Sequence, residues 1–145
     1  MTNTAIPGYQ LGDPALPASP LTEKDLADIR TSLLFTEEDV TALRRAHDVV
    51  KDRVEAILDV WYGFVGATPH LLAYFSNPAT GAPDGDYLAA VRKRFGQWIL
   101  DTCRTEYGKD WLAWQDEIGR RQHRIGKNRT DRASAAVHIP MRHVL

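Results

Sequence analysis

Residues 36–66 read TEEDVTALRRAHDVVKDRVEAILDVWYGFVG, and this stretch decides the fold class. It opens on Thr36-Glu37-Glu38-Asp39, a hydroxyl followed three residues later by a carboxylate, with acids where the positive end of a helix dipole lies. Behind that start, Val40, Leu43, His47, Val50, Val54, Ile57, Leu58, Trp61 and Val65 recur at helical spacing, with Asp, Glu, Lys and Arg opposite. The pattern predicts one long amphipathic helix, stopped by Gly66.

The same logic extends in both directions. Upstream, Thr22-Glu23-Lys24-Asp25 repeats the start signal ahead of Leu26, Ile29, Leu33 and Leu34. Residues 1–20 carry Pro7, Pro14, Pro17 and Pro20 and read as an extended lead-in. Downstream, Thr68-Pro69 starts a short helix holding Leu71, Leu72, Tyr74 and Phe75, and Ser76 to Asp86 is a loop rich in Pro, Gly, Asn and Asp. A fourth helix is predicted from Tyr87 to Cys103, burying Leu88, Val91, Phe95, Trp98 and Ile99. After Tyr107-Gly108, a fifth is predicted from Asp110 to Ile125. No segment alternates with period two, so the fold is all-α: a lead-in at 1–20 and one domain over 21–145.

Composition removes several function classes. With 43% hydrophobic and 26% charged residues among 145, the chain is globular. No apolar run is long enough to span a bilayer, and the proline-broken start lacks the form of a secretory signal. Cys103 is the single cysteine, which excludes an internal disulfide and a cysteine-based zinc site, and a cytoplasmic location is expected. The net charge of −1 conceals an uneven distribution. Arg120, Arg121, Arg124, Lys127, Arg129, Arg132 and Arg142 face Asp131 alone in the last stretch. The aromatics nearby are not interleaved with these cations, and cations also suit a helix C-terminus, so nucleic acid is not the expected partner. No phosphate loop and no nucleophile–base spacing is present, and an enzyme is not expected. His47-Asp48 is half of a metal site without its other half and reads as a helix flank.

Two features remain. Trp61, Tyr62, Phe64, Tyr74, Phe75, Phe95 and Trp98 make an aromatic set spread over several helices, either a core or the wall of a flat apolar pocket. In the fifth helix the stripe Trp111, Trp114 or Gln115, Ile118 and Ile125 has Gln122 at its inward position, and His123 lies about 100° further round.

Long motifs in a fixed order carry a family resemblance. Ile6-Pro7-Gly8-Tyr9, Phe35-Thr36-Glu37-Glu38-Asp39, Ile57-Leu58-Asp59-Val60-Trp61-Tyr62-Gly63-Phe64-Val65-Gly66 and Pro69-His70-Leu71-Leu72 are similar to protoglobin. So are Tyr87-Leu88-Ala89-Ala90-Val91-Arg92, Arg94-Phe95, Gln97-Trp98-Ile99-Leu100-Asp101-Thr102, Glu117-Ile118-Gly119, Lys127-Asn128-Arg129-Thr130-Asp131 and His138-Ile139-Pro140. The likeness implies a globin-like helical sandwich with an extra N-terminal helix, similar to the sensor domains of globin-coupled sensors. It implies haem b as cofactor and O₂, CO or NO as ligand. Trp61 and Tyr62 fall on the family's distal positions and Phe95 on its distal aromatic, with Ile118 and Gln122 on the other side of the haem. Tyr62 would then donate its O–H to the bound gas, and Trp61 would shield it.

The resemblance departs at the iron ligand. The family pattern Ile-Gly-x-x-His reads here Ile118-Gly119-Arg120-Arg121-Gln122, with His123 one residue late. An amide oxygen is a weak iron donor, so the axial ligand is either His123, reached by a one-residue π-bulge, or nothing. The family also continues into two more helices, whereas Met141-Arg142-His143-Val144-Leu145 gives no helix-stop signal, so the fold is expected to be incomplete at the C-terminus. At about 25 cal/mol per Å², leaving those stripes uncovered would cost a large part of a domain's stability. Self-association into a homodimer would cover them. The alternative function is a haem-free helical interaction module that contacts an anionic partner through Arg-rich residues 120–132.

Overall fold

The computed structural model describes residues 5–123, 127–131 and 134. Among them are six α-helices and no strand: α1 (Glu23–Ser32), α2 (Glu37–Val50), α3 (Val54–Ala67), α4 (Pro69–Leu72), α5 (Gly85–Thr102) and α6 (Lys109–Gln122). One turn of 3₁₀ helix over Ala73–Phe75 follows α4, and Ser76 bridges Pro83 across the loop before α5. No helix among the described residues is long and apolar enough to cross a membrane. Arg124, Ile125, Arg132 and residues 135–145, which include His138-Ile139-Pro140 and Met141-Arg142-His143-Val144-Leu145, lie outside the described residues.

Helix starts follow local chemistry. The Thr22 hydroxyl accepts from the Asp25 N–H, and the Asp25 carboxylate accepts from the Thr22 N–H at 2.7 Å, a reciprocal capping box. At α2 the Asp39 carboxylate accepts from the Thr36 N–H at 2.7 Å, and Thr36 Oγ1 accepts from the Glu38 N–H. Asp84 caps α5 through the Tyr87 N–H.

Two expectations fail. The stripe from Val40 to Val65 is not one helix: α2 ends at Val50, the Arg53 N–H bonds back to the Val50 carbonyl at 2.8 Å, and α3 begins at Val54. Lys51-Asp52-Arg53 offers three charged residues and no apolar anchor, so nothing holds the helix through that turn. Leu33 and Leu34 do not extend the stripe of α1. The Phe35 N–H bonds to the Arg30 carbonyl and the Leu34 N–H to the Thr31 carbonyl, a Schellman stop with Leu34 in the left-handed region at φ 55°. Leu34 is consequently 82% exposed.

α3, α5 and α6 supply most of the core. Leu58 is 1% exposed and Trp114 2%, with Val54, Val65, Tyr87, Cys103 and Leu112 also buried. α3 crosses α5 closely at Gly96: a Cβ there would sit 3.1 Å from Val54 Cγ1 and 3.2 Å from Leu58 Cδ1. At that spacing a larger residue would press on both side chains, and glycine avoids the contact. The other face of α3 is open, with Ile57, Val60, Trp61 and Phe64 all exposed.

The lead-in is tied down by polar contacts. The Tyr9 hydroxyl donates to the buried Asp101 carboxylate at 2.8 Å, which also accepts from Gln97 and Arg104. Burial and that carboxylate push the Tyr9 phenol far above its ordinary value. Arg121 donates to the Gly8 carbonyl and, at 2.5 Å, to Gln10 Oε1, and Arg94 donates to the Pro7 carbonyl at 3.2 Å.

Candidate functional site

Between α3, α5 and α6 lies a cavity of about 370 Å³, within the size range of small-molecule sites. α3 contributes Trp61 and Tyr62 from its C-terminal half. α5 contributes Val91, Phe95 and Trp98 at helical spacing, with Arg94 beside them and Tyr87 a turn earlier. α6 contributes Gln115, Ile118 and Gln122, again one face of a helix, together with Trp114 and Arg121. Phe75 closes one end, and Asn128, Thr130 and Asp131 from the segment after α6 close another.

The walls are aromatic and mutually braced. Trp61 meets Phe95 edge-on at 6.3 Å between centroids, and Phe95 meets Trp98 at 5.9 Å. Tyr62 packs edge-on against Phe75 at 6.3 Å, and Phe75 against Tyr87 at 6.0 Å. Trp98 stacks on Trp111 behind the wall and donates its indole N–H to Gln115 Oε1 at 3.2 Å. Because an indole can only donate, that bond fixes the Gln115 amide with its oxygen toward Trp98. The Gln115 Nε2 is then buried with no hydrogen-bond acceptor. Such a donor costs about 1–3 kcal/mol unless something supplies an acceptor.

The polar rim is held by ion pairs. Arg94 binds Asp131 through both guanidinium ends, at 2.5 and 3.2 Å. Arg121 binds Glu117 at 2.7 Å while lying over the Trp114 ring. Burial pushes the Tyr62 phenol up to about 12, with Arg92 and Arg94 pulling the other way. It pushes Tyr87 up to about 12 as well, helped by Asp131. Both phenols are therefore neutral O–H groups at physiological pH. Lys127 donates to the Tyr87 hydroxyl at 2.6 Å, and burial lowers its ammonium to about 8.

Trp61, Tyr62, Phe95, Ile118 and Gln122 thus come together on one cavity, and His123 does not join them. His123 caps α6 in extended conformation, φ −84° and ψ 156°, and is exposed. Its N–H bonds to the Gly119 carbonyl four residues back, so α6 keeps α geometry to its end and contains no π-bulge there. No histidine among the described residues lines the cavity. His47 lies on α2 and His70 on α4. Gln115, Arg94 and Arg121 were not foreseen as cavity residues. Gln115 was readable, since it precedes Ile118 and Gln122 by three and seven positions on the inward seam.

A family model described as Protoglobin matches residues 22–144 of the chain. Among curated proteins, none matches it.

Proposed function

The chain belongs to the protoglobin family, and on that premise we propose that it holds haem b in the α3–α5–α6 cavity and binds a diatomic gas, O₂, CO or NO, on the side of Trp61, Tyr62 and Phe95. The observation that carries this reading is the composition of the cavity: aromatic walls, the phenols of Tyr62 and Tyr87 and a polar rim around an otherwise apolar space. Haem, when bound, supplies the iron to which the gas bonds. The walls and rim suit such a group. The donor set facing its metal does not, because residue 122 is an amide, and no step is assigned to the iron through it.

The chain's own residues have separable tasks in this reading. Trp61 and Phe95 brace one another edge-on and present apolar surface to the gas side. Tyr62, protonated up to about 12, offers a hydrogen-bond donor that needs no proton from solvent. Gln115, held by the Trp98 indole, keeps the α6 wall in place. Haem-loaded protein, reduced and exposed to CO, should show a shifted Soret band, and Tyr62→Phe should speed gas release. No Soret change with CO overturns the proposal.

The alternative of a haem-free module contacting an anion through its basic stretch is disfavoured by the ion pairs. Arg120 is bound to Asp116 at 2.8 Å, and Arg121 is bound to Glu117 and the lead-in. Cations engaged in this way have less to give a phosphate backbone.

A further inference from the structure

Among the described residues, the cavity has the aromatic walls of a tetrapyrrole site without the metal ligand of one. Every lone-pair donor among the described lining residues is weak or already committed. Tyr62 and Tyr87 are neutral phenols, and a tyrosine binds iron as the phenolate. The Asp131 carboxylate is clamped by Arg94. Gln122 presents an amide, and α6 has no π-bulge that would turn His123 inward.

We infer that the cavity retains a planar tetrapyrrole dicarboxylate through apolar aromatic contact and polar contacts of its lining alone, so that metal-free protoporphyrin IX binds as tightly as its iron complex. The inference rests on the haem-pocket reading above and specifies how that pocket grips its ligand. Two groups of residues provide the grip. Trp61, Phe95 and Trp98, inclined to one another along the wall, offer apolar aromatic contact to a macrocycle, each indifferent to what occupies the ring centre. Thr130 and Asn128, from the segment after α6, add O–H and N–H donors to the lining for the ligand's carboxylates. The observation behind the inference is the lining itself, aromatic on α3 and α5 and without a strong iron donor among the described residues.

The test titrates the full chain with iron(III) protoporphyrin IX and, separately, with metal-free protoporphyrin IX, following the quenching of tryptophan fluorescence. The two dissociation constants should agree within about fivefold. A larger preference for the iron complex overturns the inference while leaving the haem-pocket reading intact. Failure of both compounds to bind overturns the two together. Gln122→His, checked for native helix content by circular dichroism, should raise affinity for the iron complex tenfold or more and leave metal-free protoporphyrin unchanged. An unchanged ratio in that variant overturns the assignment of position 122 to the metal's side, and with it the inference. His123→Ala, His138→Ala and His143→Ala should each leave both constants unchanged, and loss of haem affinity alone in any of them overturns the proposal by identifying a ligand. The wild-type comparison needs no variant to fold.

Discussion

Replacing Gly96 by alanine should destabilise the protein, although alanine is the better helix former by about 1 kcal/mol. The added methyl would meet Val54 Cγ1 at 3.1 Å and Leu58 Cδ1 at 3.2 Å, where carbon pairs prefer about 3.5–4.0 Å. Neither neighbour can swing away freely, because Leu58 is 1% exposed and Val54 is buried beside it. Overpacking of this kind costs about 1–3 kcal/mol, so the net loss should be about 0–2 kcal/mol. Gly63 provides the control, since it lies inside α3 with nothing near its missing Cβ. Gly63→Ala should therefore gain about 0.5–1 kcal/mol from backbone entropy alone. Urea unfolding followed at 222 nm gives both values. Val54→Ala should cost less in the Gly96→Ala background than alone, because it removes the colliding methyl. Equal stabilisation by the two alanines, or strict additivity with Val54→Ala, would refute the close-approach argument. The site depends on the same contact: Phe95 adjoins Gly96, so separating α3 from α5 also separates Trp61 from Phe95.

Leu34→Gly should stabilise the chain by about 1 kcal/mol, since Leu34 occupies the left-handed region at φ 55° and its exposed side chain loses little packing; a lower denaturation midpoint would contradict the Schellman reading. Tyr9→Phe should cost about 1.5–3 kcal/mol, the range for a hydrogen bond to a charged group, and should speed proteolytic cleavage within the lead-in; cleavage at the wild-type rate would mean that the Asp101 contact does not hold it. Stability should rise with pH between about 8 and 10, because folded Lys127 loses its proton near 8 while the unfolded lysine keeps it to about 10.4. Above about 10 the trend should reverse, since Tyr62 and Tyr87 hold their protons to about 12 in the folded chain and ionise earlier when unfolded. Lys127→Met should flatten the first limb and spare the second, as measured by urea midpoints across that range.

What was legible in the sequence was what short-range chemistry decides. The hydroxyl–acid pairs at Thr22 and Thr36 mark helix starts because the partners lie three residues apart, and Thr68-Pro69 begins a helix at the first position proline tolerates. The break at residues 51–53 was hidden because the apolar stripe continues across it on both sides. The lead-in contacts were hidden for another reason: Tyr9 meets Asp101, and Arg121 meets Gly8 and Gln10, across ninety or more positions. Periodicity also named Trp61, Phe95 and Ile118 as apolar without saying whether they fill a core or line a space. That distinction arises only when three helices are set around one cavity.

The basic stretch shows how far a charge tally can mislead. Counted along the chain, Arg120, Arg121, Lys127 and Arg129 make a cationic segment facing outward. In the fold, Arg121 reaches Glu117 one turn back and the lead-in beyond it, and Lys127 sits on Tyr87. Arg94, from outside that stretch, reaches forward to Asp131 and back to Pro7. These three cations join the lead-in, α5, α6 and the segment after α6 around the cavity rim. The charge of the two arginines is therefore spent within the fold, on Glu117, Asp131 and backbone carbonyls of the lead-in. A ligand that fills the cavity should stabilise the whole rim by mass action, about 2.7 kcal/mol at a hundred times its dissociation constant. Arg94→Ala should reduce that gain by weakening ligand affinity. It should also lower the stability of the ligand-free chain, because Asp131 would lose both of its guanidinium bonds at once.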